Sequence, residues 1–182
     1  QWPWHAALYS SKGIQLIYTC GGTLITAQHV VTAAHCVTRP QTKIAINPDN
    51  LLVYLVQDRD VSEIFVHPEY NYSVYFNDIA VLKLARPVEL TNFVQPCCLW
   101  DEDTDIENLI DKQGTSVCNG DSGGGMVFPK KGTSGQNTVW QIRGLVSVAV
   151  ALQERGICDT SEYIVFTDVA KHIHWIRQVL AK

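Results

Sequence analysis

Three short stretches of the sequence carry side chains that could work together as nucleophile, base and acid. The first is Gly120-Asp121-Ser122-Gly123-Gly124. A serine hydroxyl is a weak nucleophile at neutral pH and needs a base to take its proton. Flanking glycines allow a tight turn, and the amide groups of Gly120 and Ser122 could stabilise an oxyanion, a donor type whose loss costs about 3 kcal/mol. The same residues could instead form a flexible turn with an incidental serine.

A histidine that could serve as the base lies in Val31-Thr32-Ala33-Ala34-His35-Cys36. Imidazole is the side chain that most often acts as a general base near neutral pH. Cys36 could pin this loop, most simply by pairing with Cys20. A lone histidine beside a cysteine is more often structural, and the sequence contains five other histidines.

Asp78 precedes the apolar stretch 79–84, so it is expected to be partly buried at the start of a strand. Burying a carboxylate is costly unless it is hydrogen-bonded, and orienting the base imidazole would supply that partner. A capping or turn aspartate is the commoner role of Asn-Asp before a strand. Together, however, the order His, Asp, Ser is typical of one hydrolase class, whereas two other classes run Asp, His, Ser and Ser, acid, His.

The surrounding elements are predicted to be short strands followed by one helix. Strand-type runs cover 51–56, 64–66, 79–84 and 139–150, and Gly and Pro residues separate them. At the C-terminus, apolar residues recur on one helical face, and Asp168 can cap its start. These face residues are Val169, Ile173, Ile176 and Leu180. The pattern favours a β-barrel or sandwich with a C-terminal helix.

The composition excludes several classes of protein. The 182 residues are 46% hydrophobic with a formal net charge of −4, which is typical of a globular protein and does not suggest nucleic acid or membrane partners. No apolar run approaches the roughly 20 residues of a membrane helix. The N-terminus lacks signal-peptide features, so we expect the sequence to begin after processing or to be a fragment.

Six cysteines suit disulfides in an oxidising compartment, while paired metal-ligand spacings are absent, so we expect no metal. No cofactor is expected. Asn71-Tyr72-Ser73 is a glycosylation sequon consistent with secretion. The acidic segment 101–111 is interpreted as a solvated loop rather than a calcium loop, because it lacks the required glycine.

These motifs together resemble the chymotrypsin-like serine proteases of the trypsin fold. The matching stretches span nearly the whole chain: 2–4, 20–25, 32–36, 77–80, 94–96, 120–124 and 169–176. The stretch 117–126 is also similar to arthropod haemolymph proteases, including modular and clip-type proteases of immune cascades. The resemblance implies an all-β fold of two antiparallel Greek-key barrels, the second one truncated, with a C-terminal helix. It implies a single peptidase domain, with the first barrel in 1–98 and the incomplete second barrel in 115–182.

The resemblance also assigns roles to individual residues. His35, Asp78 and Ser122 correspond to the catalytic triad, and Gly120 and Ser122 to the oxyanion hole. Disulfides are implied between Cys20 and Cys36 and between Cys118 and Cys158. Cys98 matches a cysteine that often tethers the catalytic domain to an upstream pro-region, and the partner of the neighbouring Cys97 is open. Protein substrates and serpin-type inhibitors are the implied partners, and the implied location is extracellular.

The residues that match the family's specificity pocket differ from those of trypsin-like enzymes. Ser116 stands where those enzymes place an aspartate, and Ala149 and Ile164 replace pocket glycines. We therefore expect a small or medium apolar P1 residue rather than Lys or Arg. Ser147 and Ala149 match the segment that pairs with the substrate backbone.

The sequence departs from the family pattern in two larger respects. The family's new N-terminal amine pairs with the aspartate before the serine, here Asp121, and we expect that this sequence begins too late to complete that switch. Ser122 follows Asp78 by 44 residues, roughly half the family's interval. A deletion joining two Gly-Thr sites at Gly114-Thr115 would produce this sequence, so exon skipping or an incomplete gene model is our hypothesis.

Three functional hypotheses follow from these observations. The first is an active serine endopeptidase of a proteolytic cascade, made as a zymogen. The second is a catalytically impaired homologue that acts as a binding or regulatory protein. Such homologues usually lose the serine or the histidine, and both are present here. The third, a metal-binding module built on Cys and His, is disfavoured by their spacing.

Overall fold

The structure is a computed structural model that describes residues 2–12, 15–38, 45–46, 57–100, 121–149 and 164–182. The regular elements in these ranges are mostly β-strands in antiparallel sheets, with a short C-terminal helix, which confirms the all-β prediction. Ten strands are present in the described ranges: β1 His5–Lys12, β2 Gln15–Thr26, β3 His29–Thr32, β4 Ala45–Ile46, β5 Val61–Val66, β6 Ala80–Leu84, β7 Cys98–Leu99, β8 Gly125–Pro129, β9 Trp140–Ala149 and β10 Ile164–Asp168.

The first six strands form one antiparallel sheet in the order β4-β1-β2-β3-β6-β5. In the second sheet, β9 pairs antiparallel with β8 and β10 and parallel with β7. The strands predicted at 64–66, 79–84 and 139–150 correspond to β5, β6 and β9. The predicted strand at 51–56 and the acidic segment 101–111 lie outside the described residues. The division into barrels at 98 and 115 stays a prediction.

The central strands of the first sheet are apolar on both faces. In β6, Ala80, Leu82 and Leu84 pack into one cluster of buried residues, while Val81 points into a second cluster. Successive side chains of a strand alternate between faces, so β6 contributes to both clusters at once. The second cluster also contains Ile142 of β9, so it joins the two sheets.

The C-terminal segment closes the second cluster. The Asp168 carboxylate accepts a hydrogen bond from the Ala170 N–H at 3.0 Å, as expected for a cap. The chain first makes a 3₁₀ turn at Val169–His172 and only then the α-helix Ile173–Leu180, labelled α1. Val179, which the predicted face omitted, is buried beside Ile176, since residues three apart share a helix face.

In the described part of the chain, no helix has the length and apolarity needed to cross a membrane.

Candidate active site

His35 and Asp78 form a paired imidazole and carboxylate where the two sheets meet. His35 lies in a 3₁₀ turn, Ala34–Cys36, that directly follows β3, and Asp78 precedes β6, the neighbour of β3. The Asp78 Oδ2 atom lies 2.7 Å from His35 Nδ1, and Oδ1 accepts the His35 backbone N–H at 2.8 Å. The Asp78 side chain is fully buried, whereas 13% of the His35 side chain is exposed. The Nδ1 edge of the imidazole is therefore held by Asp78, and part of the ring remains open to solvent.

Two buried hydroxyl groups from the second sheet also donate to Asp78. Ser147 of β9 donates its Oγ–H to Asp78 Oδ2 at 2.5 Å, and Thr167 of β10 donates to the Asp78 carbonyl oxygen at 3.0 Å. The sequence interpretation placed Ser147 only against the substrate backbone and missed this contact. The sequence does contain one indication of it: Ser147 lies between two valines in an apolar strand, and a buried hydroxyl requires a hydrogen-bond partner.

The residue before Asp78 is fixed by its own hydrogen bonds. Asn77 has a positive φ of 53°, a backbone conformation that asparagine tolerates better than most residues. Its Nδ2 donates to the Glu69 carbonyl at 3.2 Å, and its Oδ1 lies 2.9 Å from His172 Nε2. These contacts tie the strand entrance that carries Asp78 to the C-terminal segment.

The Ser122 loop reaches the same corner through backbone contacts. The Ser122 carbonyl accepts the Gly21 N–H at 2.8 Å, and the Gly123 N–H donates to Val146 at 2.7 Å. Gly123 has φ 79°, and a Cβ there would lie 2.3 Å from Thr32 Oγ1. Only glycine fits this position, because both the backbone angle and the space exclude a side chain.

His35 and Gly123, the residue after Ser122, both lie beside the Cys20–Cys36 disulfide. His35 Nε2 lies 3.6 Å from Cys36 Sγ, and a Cβ at Gly123 would lie 3.2 Å from the same sulfur. Among the described residues, the Ser122 hydroxyl makes no direct hydrogen bond with His35. Catalytic hydrogen bonds are often long without substrate and tighten when it binds. Cys20 and Cys36 lie close to His35, but their sulfur atoms are joined in the disulfide, so neither offers a thiolate ligand to a metal.

The remaining predicted site residues are only partly described. Ile164 pairs with Ala149 across β10 and β9, so these two predicted pocket residues lie opposite each other. Ser116, Gly120 and the predicted pair Cys118 and Cys158 lie outside the described residues.

An aromatic side chain that the sequence interpretation missed lies against the histidine. The Tyr75 ring packs edge-on to the imidazole of His35, with 5.7 Å between the ring centroids. Tyr75 has a positive φ of 54°, an uncommon conformation for an aromatic residue. The contact depends on this backbone angle of Tyr75, which the local sequence does not reveal.

The adjacent cysteines Cys97 and Cys98 are both free thiols but differ in environment. Cys97 is buried, and its Sγ donates to the Trp140 carbonyl at 3.3 Å. Burial, assisted by the neighbouring Cys98, raises the pKa of the Cys97 thiol to about 12. Cys98 is exposed. Of the two, Cys98 is therefore the one accessible to another chain.

Comparison with known proteins defines the family. The family model described as Trypsin matches residues 1–110. The chain is 31% identical to chymotrypsin-C of Bos taurus over 238 positions, covering 98% of this chain and 84% of the relative. It is 28% identical to chymotrypsin-C of Mus musculus, covering 97% and 84%, and 28% identical to clotting factor C of Tachypleus tridentatus, covering 99% of this chain and 24% of that protein. The chain therefore belongs to the trypsin family of chymotrypsin-like serine endopeptidases.

The alignments contain positions that have no counterpart in this chain. The alignment with the Mus musculus relative runs over 232 positions, whereas the chain has 182 residues. Several dozen aligned positions are therefore gaps in this sequence. This agrees with the short interval between Asp78 and Ser122.

Proposed function

We propose that the protein hydrolyses peptide bonds with Ser122 as nucleophile, His35 as general base and Asp78 as the group that orients the base. The observation that carries this assignment is the 2.7 Å contact between His35 Nδ1 and the fully buried Asp78 carboxylate. The carboxylate holds the proton on Nδ1, which leaves Nε2 as the basic atom. Membership in the trypsin family and the backbone contacts of the Ser122 loop support the same assignment.

The proposed reaction proceeds in two acyl-transfer steps. Nε2 of His35 takes the Ser122 proton as Oγ attacks the substrate carbonyl carbon, and the resulting imidazolium then protonates the leaving amine as the peptide C–N bond breaks. Water next attacks the acyl-enzyme, giving its proton to Nε2, and the ester bond to Oγ breaks with return of that proton to Ser122. We assign the Ser122 N–H, which donates to no acceptor among the described residues, to the oxyanion together with the proposed Gly120 N–H.

A second candidate function is that of a catalytically impaired homologue that binds other proteins. The alignment gaps favour it, since catalysis is sensitive to displacements of about 1 Å. Under this alternative, the His35–Asp78 pair remains but the serine is not activated.

A fluorophosphonate probe, which reacts with activated serines, distinguishes the two functions. We expect the folded protein to be labelled, and Ser122→Ala to abolish the labelling. Ser134→Ala removes an exposed serine outside the site and serves as the matched control. Protein that unfolds cooperatively in urea but resists the probe would refute the peptidase assignment and support the binding function.

For the substrate, we propose a small or medium apolar P1 side chain. Ile164 and Ala149, which replace pocket glycines of the family, are register partners in β10 and β9, and this pairing supports the proposal. The proposed pocket residue Ser116 supplies no negative charge for Lys or Arg. A panel of chromogenic peptides that differ only at P1 tests this specificity. Preferred cleavage after Arg would contradict it.

We further propose that the protein is secreted and acts in a proteolytic cascade, made as a zymogen with a pro-region tethered through Cys98. The relative named clotting factor C supports the cascade role, and the exposure of Cys98 beside the inaccessible Cys97 supports the tether. Mass spectrometry of the unreduced secreted zymogen should find Cys98 in a disulfide with a cysteine of the pro-region, which Cys98→Ser removes and Cys97→Ser retains. Serpin-type inhibitors are the proposed regulators, and a stable covalent complex that requires Ser122 would be the expected product.

A further inference from the structure

The sequence contains a single Asn-x-Ser/Thr sequon, Asn71-Tyr72-Ser73. In the structure, Asn71 is exposed, and its Oδ1 accepts the Ser73 N–H at 2.9 Å. The Asn71 backbone N–H donates to the Phe76 carbonyl at 3.0 Å, so the residue closes a tight hairpin. Among the described residues, the Nδ2 atom of Asn71, to which a glycan would attach, has no hydrogen-bond partner.

The hairpin that follows Asn71 presents large apolar side chains to solvent. The exposed fractions are 76% for Tyr72, 69% for Val74 and 64% for Phe76. Single exposed apolar residues are ordinary, but a contiguous group on one turn is a feature that proteins usually cover. Asn71 lies directly across the hairpin from Phe76, at the base of this group.

We propose that Asn71 carries an N-linked glycan that covers the apolar hairpin of residues 72–76. N-linked glycans are bulky and solubilising, and they occupy surface loops. The first sugar would attach beside Phe76, from where the glycan extends over Tyr72 and Val74. This proposal rests on the proposed secretion of the protein, because the modification takes place in the secretory pathway.

Occupancy of Asn71 is tested on the full chain expressed behind a secretory leader in eukaryotic cells. In leader-processed protein, peptide N-glycosidase should convert Asn71 to Asp, as read by mass spectrometry. Ser73→Ala should abolish this conversion, and Ser73→Thr should retain it. Unmodified Asn71 in leader-processed chain would overturn the proposal. The Ser122→Ala background is used throughout, so the result does not depend on the proposed catalytic activity.

Coverage of the hairpin is tested by limited proteolysis with an added protease that cleaves after aromatic residues. Cleavage at Tyr72 or Phe76 should become several-fold faster once the glycan is removed enzymatically. The Ser73→Ala protein, which never carries the glycan, should be cleaved at the fast rate before and after the same treatment. Equal rates for glycosylated and deglycosylated protein would show that a glycan at Asn71 leaves the hairpin uncovered.

Discussion

The hydrogen bond from Ser147 to Asp78 allows a quantitative test of how the site is built. Two side-chain groups donate to Asp78 Oδ2, the His35 ring N–H and the Ser147 hydroxyl, and the carboxylate is fully buried. Ser147 is itself 3% exposed, so water cannot readily replace its hydroxyl. A hydrogen bond to a charged group contributes about 1.5–3 kcal/mol. We expect Ser147→Ala to lower the free energy of unfolding by that amount.

Thr167→Val provides a matched control at the same aspartate. It also removes a buried hydroxyl, but one that donates to the uncharged carbonyl oxygen of Asp78. A neutral hydrogen bond contributes about 0.5–1.5 kcal/mol, so Thr167→Val should cost about half as much as Ser147→Ala. Urea unfolding of the two variants measures both values.

The two variants should differ more in kcat than in their free energies of unfolding. If half of the Ser147 hydrogen-bond energy supports the imidazolium in the transition state, kcat falls about 4- to 13-fold in Ser147→Ala, with little change in KM. Thr167→Val should leave kcat nearly unchanged. A stability loss in Ser147→Ala no larger than that in Thr167→Val, or an unchanged kcat, would refute the role assigned to Ser147.

Three further outcomes are expected. Iodoacetamide should modify Cys98 but not Cys97 in the folded protein, because Cys97 is buried and its pKa is raised to about 12. In urea it should modify both cysteines. Equal modification of the two in the folded protein would contradict this prediction. Asp168→Ala should cost about 3–5 kcal/mol in urea unfolding, because it leaves the buried Arg143 guanidinium without its carboxylate partner; a loss of about 1 kcal/mol or less, the size of an exposed ion pair, would argue against that role. Asp168→Asn keeps an oxygen for the helix cap and should cost less, whereas equal losses in the two variants would show that the cap contributes nothing. Burial and the nearby His172 lower the pKa of His67 below its ordinary value of 6.5, although Glu69 opposes the shift. The folded state therefore binds fewer protons than the unfolded state, and the free energy of unfolding falls as the pH drops below about 6.5. His67→Gln should flatten this decline, and an unchanged slope would refute the assignment to His67.

Local patterns predicted much of the fold and part of the site. Alternating apolar residues predicted β5, β6 and β9, and a carboxylate before an apolar strand predicted that Asp78 would be buried and need a partner. Contacts between distant strands were beyond such patterns. Ser147 is 69 residues from Asp78, and nothing in its neighbours shows which buried acceptor its hydroxyl meets. The edge-on contact of Tyr75 with His35 depends on a positive φ that local sequence does not specify.

The two halves of the proposed site are held by different interactions, and this bears on the short interval between Asp78 and Ser122. Asp78 receives hydrogen bonds from the turn after β3, from β9 and from β10, so side chains on three regular elements fix the His35–Asp78 pair. The Ser122 loop is joined to that framework through backbone bonds to Gly21 and Val146. A loss of residues between Asp78 and Ser122 therefore leaves the orientation of His35 intact and acts on the approach of the serine. Catalytic competence then depends on whether a bound substrate brings Ser122 Oγ within hydrogen-bond distance of His35 Nε2.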